Sequence, residues 1–239
     1  MNNKFPTAQT VDFQSAEQLY TYMHDYYLLL DSHIDEYIAQ NNLSVVCSKG
    51  CGICCYIKLD VNAHEIIYLA HYILNKLSPE MRGRVITDLQ RSAAAIAPLS
   101  TKDHFLGRFK CGFLQDNSCA VHPARPAMCR KFNSLSLEKC QQKFADDNIN
   151  PLTGPEDIGL DDSAYEIIKD CERNLKMAGY DSTVYEINQA VLMALEKKDC
   201  LKLWLAGEKI LPAEVEAKKF SPATLQRILE RRRSLRNSY

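Results

Sequence analysis

Eight of the ten cysteines in this 239-residue chain fall between positions 47 and 140: Cys47, Cys51, Cys54, Cys55, Cys111, Cys119, Cys129 and Cys140. Only Cys171 and Cys200 lie outside that stretch. Thiols at this density must cross-link, bind metal or do redox chemistry, and the compartment decides among the three. Met1–Thr10 is polar and has no basic start followed by an apolar run, so it does not read as a secretory signal. No stretch approaches 18 apolar residues, which excludes a membrane-spanning helix. A cytoplasmic location follows as the expectation. Disulfides are disfavoured there, and metal ligation is the better reading.

Charge follows the same partition. Residues 1–46 carry one base against six acids, residues 47–140 thirteen against seven, and residues 141–239 fifteen against seventeen. A net charge of −1 therefore conceals a cationic, cysteine-rich middle. Eight thiolates around two divalent ions would carry −4 formally, which calls for neighbouring cations or N–H donors. Arg125, Arg130, Lys49 and Lys110 are the expected neutralising residues, with Lys58, Arg108 and Lys131 also within a few positions of a cysteine. A nucleic-acid role is disfavoured by a pI of about 6.6 and by the lack of a basic run before Arg231-Arg232-Arg233.

Outside the cysteines the pattern is helical. Ser15 and Gln18 resemble a capping box. Ala16, Leu19, Met23, Tyr27, Leu30, Ile34 and Ile38 then recur at helical spacing up to Asn41-Asn42. Asn62 caps a helix with Ile66, Leu69, Ala70, Ile73 and Leu77 on its apolar face, and Ser78-Pro79 opens another that stops before Pro98. Further on, Ser163 with Glu166 and Thr183 with Glu186 are expected to open two helices. A short helix ends at Gly207, and a basic one starts at Ser221-Pro222. The stretch 145–162, with Asn150-Pro151 and Gly154-Pro155, reads as a linker. The fold class expected is mainly α, with irregular cysteine-rich metal-binding loops and no series of strands. Its parts are an N-terminal helix at 1–44, a cysteine-cluster module with a helical insert at 45–145, and a C-terminal helical region at 146–239 packed on it.

Within the module, Cys51-x2-Cys54 lets two thiolates meet one ion across a tight turn, with Gly50 and Gly52 supplying backbone freedom. Adjacent Cys54 and Cys55 would point apart in extended backbone and so serve two metals, or leave one of them to contribute elsewhere. Eight thiols match two four-cysteine zinc sites, or one or two iron–sulfur clusters. The sequence Cys47-Ser-Lys-Gly-Cys51-Gly-Ile-Cys54-Cys55, with Cys111-Gly-Phe-Leu, Cys119-Ala-Val-His122, Ala124-Arg-Pro-Ala-Met-Cys129-Arg130 and Cys140, resembles the YkgJ-like cysteine-cluster family, known for its CxxCxxCC motif and described as zinc- or iron-chelating. The likeness extends over roughly residues 40–210, through Tyr185–Leu195 and Trp204–Glu208. It implies chelation of zinc or iron and little else; a [4Fe–4S] cluster held by the eight cysteines is what their count adds. Two positions depart from the pattern. The first spacing is Cys-x3-Cys, and His122 stands where many members carry tyrosine, which adds it as a candidate ligand.

Cys47-x3-Cys51-x2-Cys54 has the spacing of radical S-adenosylmethionine enzymes, and some relatives of the family are associated with protein lysine methylation. An iron–sulfur enzyme is therefore the alternative function. The barrel strands and glycine runs such chemistry uses are missing from the sequence pattern. A thioredoxin-type Cys-x-x-Cys would stand alone after a strand, whereas Cys51 and Cys54 sit among six further thiols. His64-Glu65 lacks a second histidine four residues on, since His71 is seven away. His24, His64 and His71 read as helix-surface or core-edge residues. Cys171 and Cys200 read as buried apolar thiols, and Tyr20, Tyr22, Tyr26 and Tyr27 as packing. No protein partner is legible.

Overall fold

The computed structural model describes residues 11–145 and 157–218, together with positions 222, 223, 226 and 230. Nine α-helices and four short strands occur among the described residues, so the fold is mainly α. None of these helices is long and apolar enough to cross a membrane.

Helix α1 (Ala16–Gln40) starts where Ser15 Oγ accepts the Gln18 N–H at 3.4 Å and stops at Asn41-Asn42, with Asn42 at φ 51°. Its buried face is Leu19, Met23, Tyr26, Tyr27, Leu30 and Ile34, the expected stripe with Tyr26 added and its ends Ala16 and Ile38 only half-buried. Helix α2 (Ala63–Lys76) opens on a full capping box between Asn62 and Glu65. Helix α3 (Pro79–Ile96) opens on Ser78, whose Oγ accepts the Met81 N–H at 3.2 Å. Short helices α4 (Thr101–Leu106), α5 (Ala127–Lys131) and α6 (Leu137–Ala145) serve the cysteine-bearing stretch. Helices α7 (Ile158–Met177), α8 (Ile187–Glu196) and α9 (Cys200–Leu205) complete the body. In the packing, α8 lies on α2 and α3, α7 on α1, and α5 against both α1 and α7.

Two pairs of short strands are the departure from an all-helical expectation. Strand β1 (Asp60–Asn62) pairs antiparallel with β4 (Val184–Glu186), placing Val61 opposite Tyr185. Strands β2 (Leu114–Gln115) and β3 (Ser118–Cys119) form a hairpin. Its turn residues Asp116 and Asn117 both have positive φ, 48° and 58°, as a two-residue primed turn requires. Thr183 and Glu186 therefore do not open a helix together. The Val184–Glu186 segment is paired to β1, and Glu186 alone caps α8 by accepting the Gln189 N–H at 2.9 Å.

Helix α7 begins five residues before Ser163. Asp157 caps it by accepting the Leu160 N–H at 2.8 Å, while Ser163 turns inward and donates to the Leu160 carbonyl at 3.2 Å. The end of the expected linker, 158–162, is therefore helix, and positions 146–156 lie outside the described residues. The basic C-terminal helix expected from Ser221 also falls largely outside them.

Cys171 and Cys200 are buried in the core at 0% and 5% exposure. His64 is a correction. It is not at a core edge but 2% exposed in the first turn of α2, with Nδ1 unpartnered. Burial depresses its pKa to about 3, against the opposing pull of Asp181. A depressed imidazole contributes its stability in full above the unfolded value near pH 6.5 and loses it as pH falls towards 3. Wild type is therefore expected to lose more unfolding free energy than His64→Leu between pH 7 and pH 5. Urea titrations at both pH values check this, and equal losses would remove His64 as the cause.

Candidate metal centre

The segment carrying the first four cysteines is held at both ends. Val46 N–H donates to the Ser134 carbonyl at 2.8 Å, and Ser134 N–H donates to Cys47 Sγ at 3.3 Å. A turn then closes with Cys51 N–H on the Ser48 carbonyl at 3.1 Å, passing through Gly50 at φ 92°. Gly52 has an ordinary φ of −101°, so its role is not conformational freedom. A Cβ there would meet Leu114 Cδ1 at 3.0 Å.

Ile53–Tyr56 form a single 3-10 turn, so Cys54 and Cys55 are not in extended backbone, and their thiols hydrogen-bond to each other. That contact from Cys55, followed by a backbone N–H and then the charge of Arg125, lowers the Cys54 thiol to about 7, although protein crowds this solvent-open residue. Cys55 moves up for the same reason, reinforced by burial and by Cys54, Cys111 and Cys119.

The second group is laid against the first. Cys111 N–H donates to the Cys55 carbonyl at 2.7 Å, and Gly112 N–H donates to Asn188 Oδ1 at 2.9 Å. The β2–β3 hairpin returns Cys119 opposite Leu114. A 3-10 turn at His122–Ala124 leads to Pro126, which opens α5 with Cys129 inside it. Cys129 is open to solvent yet crowded by protein. That enclosure, with Cys111, Cys54 and Cys119, pushes its thiol far up. Burial raises Cys111 to about 12 and raises Cys119 as well. Ser136 Oγ accepts the Lys139 N–H at 3.2 Å to start α6, whose Cys140 thiol donates to Ser134 Oγ at 3.0 Å.

Gly112 is the tightest point of this assembly. A Cβ would lie 2.8 Å from Leu89 Cα and N, which are backbone atoms of α3 and cannot rotate away. Gly112→Ala is expected to cost about 1–3 kcal/mol of unfolding free energy, measured in urea. A cost near zero would show that α3 yields freely.

The donor chemistry fits a soft metal. Backbone N–H groups of Ser134, Phe113 and Val121 point at the sulfurs of Cys47, Cys111 and Cys119, a pattern suited to thiolate rather than to apolar thiol. All ten cysteines are free. Among the described residues no three Cys, His, Asp or Glu side chains are already clasped around one point, so ligation would require the thiols to turn inward. His122 is exposed, and its ring lies 3.0 Å from the Arg125 guanidinium.

The four bases expected to balance thiolate charge take different places. Arg125 acts on Cys54 and Cys119. Lys110 donates to Asp88 at 2.8 Å, and Lys49 is exposed. Arg130 is 5% exposed. It pairs with Asp31, donates to the carbonyls of Arg125 (3.0 Å) and Pro123 (2.5 Å), and lies 4.0 Å over the Tyr27 ring. It therefore pins the Cys119–Cys129 connection to α1.

Two residues of structural weight escaped the sequence reading. Glu65, 3% exposed, accepts the Ala127 N–H at 2.8 Å, the Tyr27 hydroxyl at 3.1 Å and the Asn62 N–H at 3.3 Å. Its only advance signal was the Asn62-x-x-Glu65 spacing. Ser134, 1% exposed between Cys47 and Cys140, gave none.

Residues 46–148 match the family model CxxCxxCC, whose description reads "Putative zinc- or iron-chelating domain". The match encloses all eight clustered cysteines. No curated protein and no solved structure matches the chain.

Proposed function

With residues 46–148 matching a zinc- or iron-chelating domain, we propose that this protein binds zinc or an iron–sulfur cluster through Cys47, Cys51, Cys54, Cys55, Cys111, Cys119, Cys129 and Cys140. The supporting observation is the set of N–H donors directed at Cys47, Cys111 and Cys119 within one group of mutually opposed thiols. Burial first, and neighbouring sulfurs after it, push up the thiols of Cys47, Cys111 and Cys129, and a bound cation offsets both. The chain's own contribution is to hold the sulfurs together. Arg125 faces two of them, while Arg130 and Glu65 fix the backbone that carries Cys129. Ten free thiols suit a reducing compartment, and we place the protein in the cytoplasm. In this reading the protein is a metal-binding module.

Purification with and without air, followed by zinc, iron and sulfide analysis and a visible spectrum, tests it. Zinc at about two per chain without absorbance near roughly 400 nm identifies zinc sites, whereas iron with equal sulfide and a broad visible band identifies a cluster. A chain that retains neither metal under either condition would refute the proposal.

A further inference from the structure

Helix α6 brings Cys140 to the other cysteines, and none of its residues is buried. Two contacts steady its C-terminal end. Tyr56 meets the Phe144 ring edge-on at 5.1 Å, and Arg108 donates to the Lys143 carbonyl at 2.8 Å. Its start hangs on Ser134, which is 1% exposed and engages every hydrogen-bonding group it has. The Ser134 carbonyl accepts the Val46 N–H at 2.8 Å, and the Ser134 N–H donates to Cys47 Sγ at 3.3 Å. The hydroxyl accepts the Ser136 N–H at 3.2 Å, donates to the Ser136 carbonyl at 3.2 Å and accepts the Cys140 thiol at 3.0 Å. One donor and two acceptors exhaust a serine hydroxyl.

We propose that Ser134 is a positioning residue for metal binding, its hydroxyl aiming the Cys140 sulfur and its N–H the Cys47 sulfur. The assignment rests on the metal-binding reading above. A ligating sulfur carries no proton, so the bond at Cys140 then runs from hydroxyl to sulfur. The surrounding bonds accommodate that reversal. The Ser136 carbonyl gives up the hydroxyl but keeps the Cys140 N–H at 3.2 Å, and the hydroxyl keeps the Ser136 N–H. Alanine at this position would leave the Cys47 bond in place, since it comes from the backbone, and remove the one at Cys140. A hydrogen bond of this kind fixes where a ligand points, and its loss weakens metal binding by about 10–100-fold.

The test titrates the full chain, reduced and free of air, with Co2+ as the probe. Cobalt fills thiolate sites and reports on them through sulfur-to-metal charge-transfer absorption. Ser134→Ala should stay folded by far-UV circular dichroism and bind Co2+ roughly tenfold or more weakly than wild type. Its charge-transfer band should also move to longer wavelength, because a thiolate without its hydrogen bond gives up electron density more readily. Ser134→Thr keeps the hydroxyl and should bring affinity and band back to near wild type.

Weaker binding with an unmoved band would make Ser134 a structural residue only and overturn the assignment. Wild-type affinity in Ser134→Ala, or no recovery in Ser134→Thr, would overturn it too. Each of these results leaves metal binding itself intact. A wild-type chain that binds no Co2+ would overturn the role of Ser134, and one that retains neither zinc nor iron as well would overturn the metal reading with it.

Discussion

Glu65→Leu should lower the unfolding free energy by about 3–5 kcal/mol, one of the two largest losses expected from a single substitution in this chain. Leucine nearly matches the side chain in volume, so little of this is a cavity effect. The loss comes from the partners left behind: the Ala127 N–H, the Tyr27 hydroxyl and the Asn62 N–H, in a pocket where Glu65 is only 3% exposed. Replacing a buried charge by an apolar residue is often neutral, but only when the groups that satisfied it are replaced too. Here they remain.

Glu65→Gln keeps an acceptor oxygen and is expected to cost about 1–2 kcal/mol. Urea unfolding of the two variants side by side is the measurement. A loss below about 1 kcal/mol for leucine would mean that water reaches the orphaned donors. Because Ala127 opens α5 two residues before Cys129, metal retention should follow the same order, wild type above glutamine above leucine.

What could be read in advance follows the range of the interactions. Helices α1, α2 and α3 are written locally. Ser15, Asn62 and Ser78 each sit one residue before a helix that carries a periodic apolar stripe, and caps and periods act within a few positions. The β1–β4 pair is the opposite case. Each strand has three residues, too few for a period, and Asp60 meets Glu186 across more than a hundred intervening positions. The start of α7 was lost because Asp157 follows a Pro/Gly-containing stretch that outweighs a single capping carboxylate. The cysteine clusters and their family resemblance were legible because metal ligands are recognised by type and spacing. The support around them was not. Arg130 looks in sequence like a counter-ion for thiolates, yet it reaches α1 through Asp31 and stacks on Tyr27, contacts that exist only once α1 and α5 are packed.

In the distal core, away from the cysteine stretch, Trp204 is the anchor. It is 0% exposed, stacks on Tyr180 at 4.3 Å and 12°, and lies 5.7 Å from the Phe13 ring. Its indole N–H donates to the Asp181 carbonyl at 2.9 Å. The Asp181 carboxylate in turn accepts the Thr183 N–H (2.9 Å), the Ile210 N–H (3.2 Å) and the Tyr185 hydroxyl (3.2 Å).

Trp204→Ala should therefore cost about 3–5 kcal/mol through cavity formation and lost stacking. Trp204→Phe keeps a ring on Tyr180 and gives up the indole bond, so about 1–2 kcal/mol is expected. The chain has one tryptophan, so both are followed by far-UV circular dichroism in urea rather than by its fluorescence. If phenylalanine proves as damaging as alanine, the Asp181 bond governs this region rather than ring packing. Folded samples of either variant should still bind as much metal as wild type, since the ring and hydrogen-bond contacts of Trp204 to Tyr180, Phe13 and the Asp181 carbonyl lie on residues that hold no clustered cysteine. A parallel fall in bound metal would show instead that the distal core and the cysteine module stand or fall together.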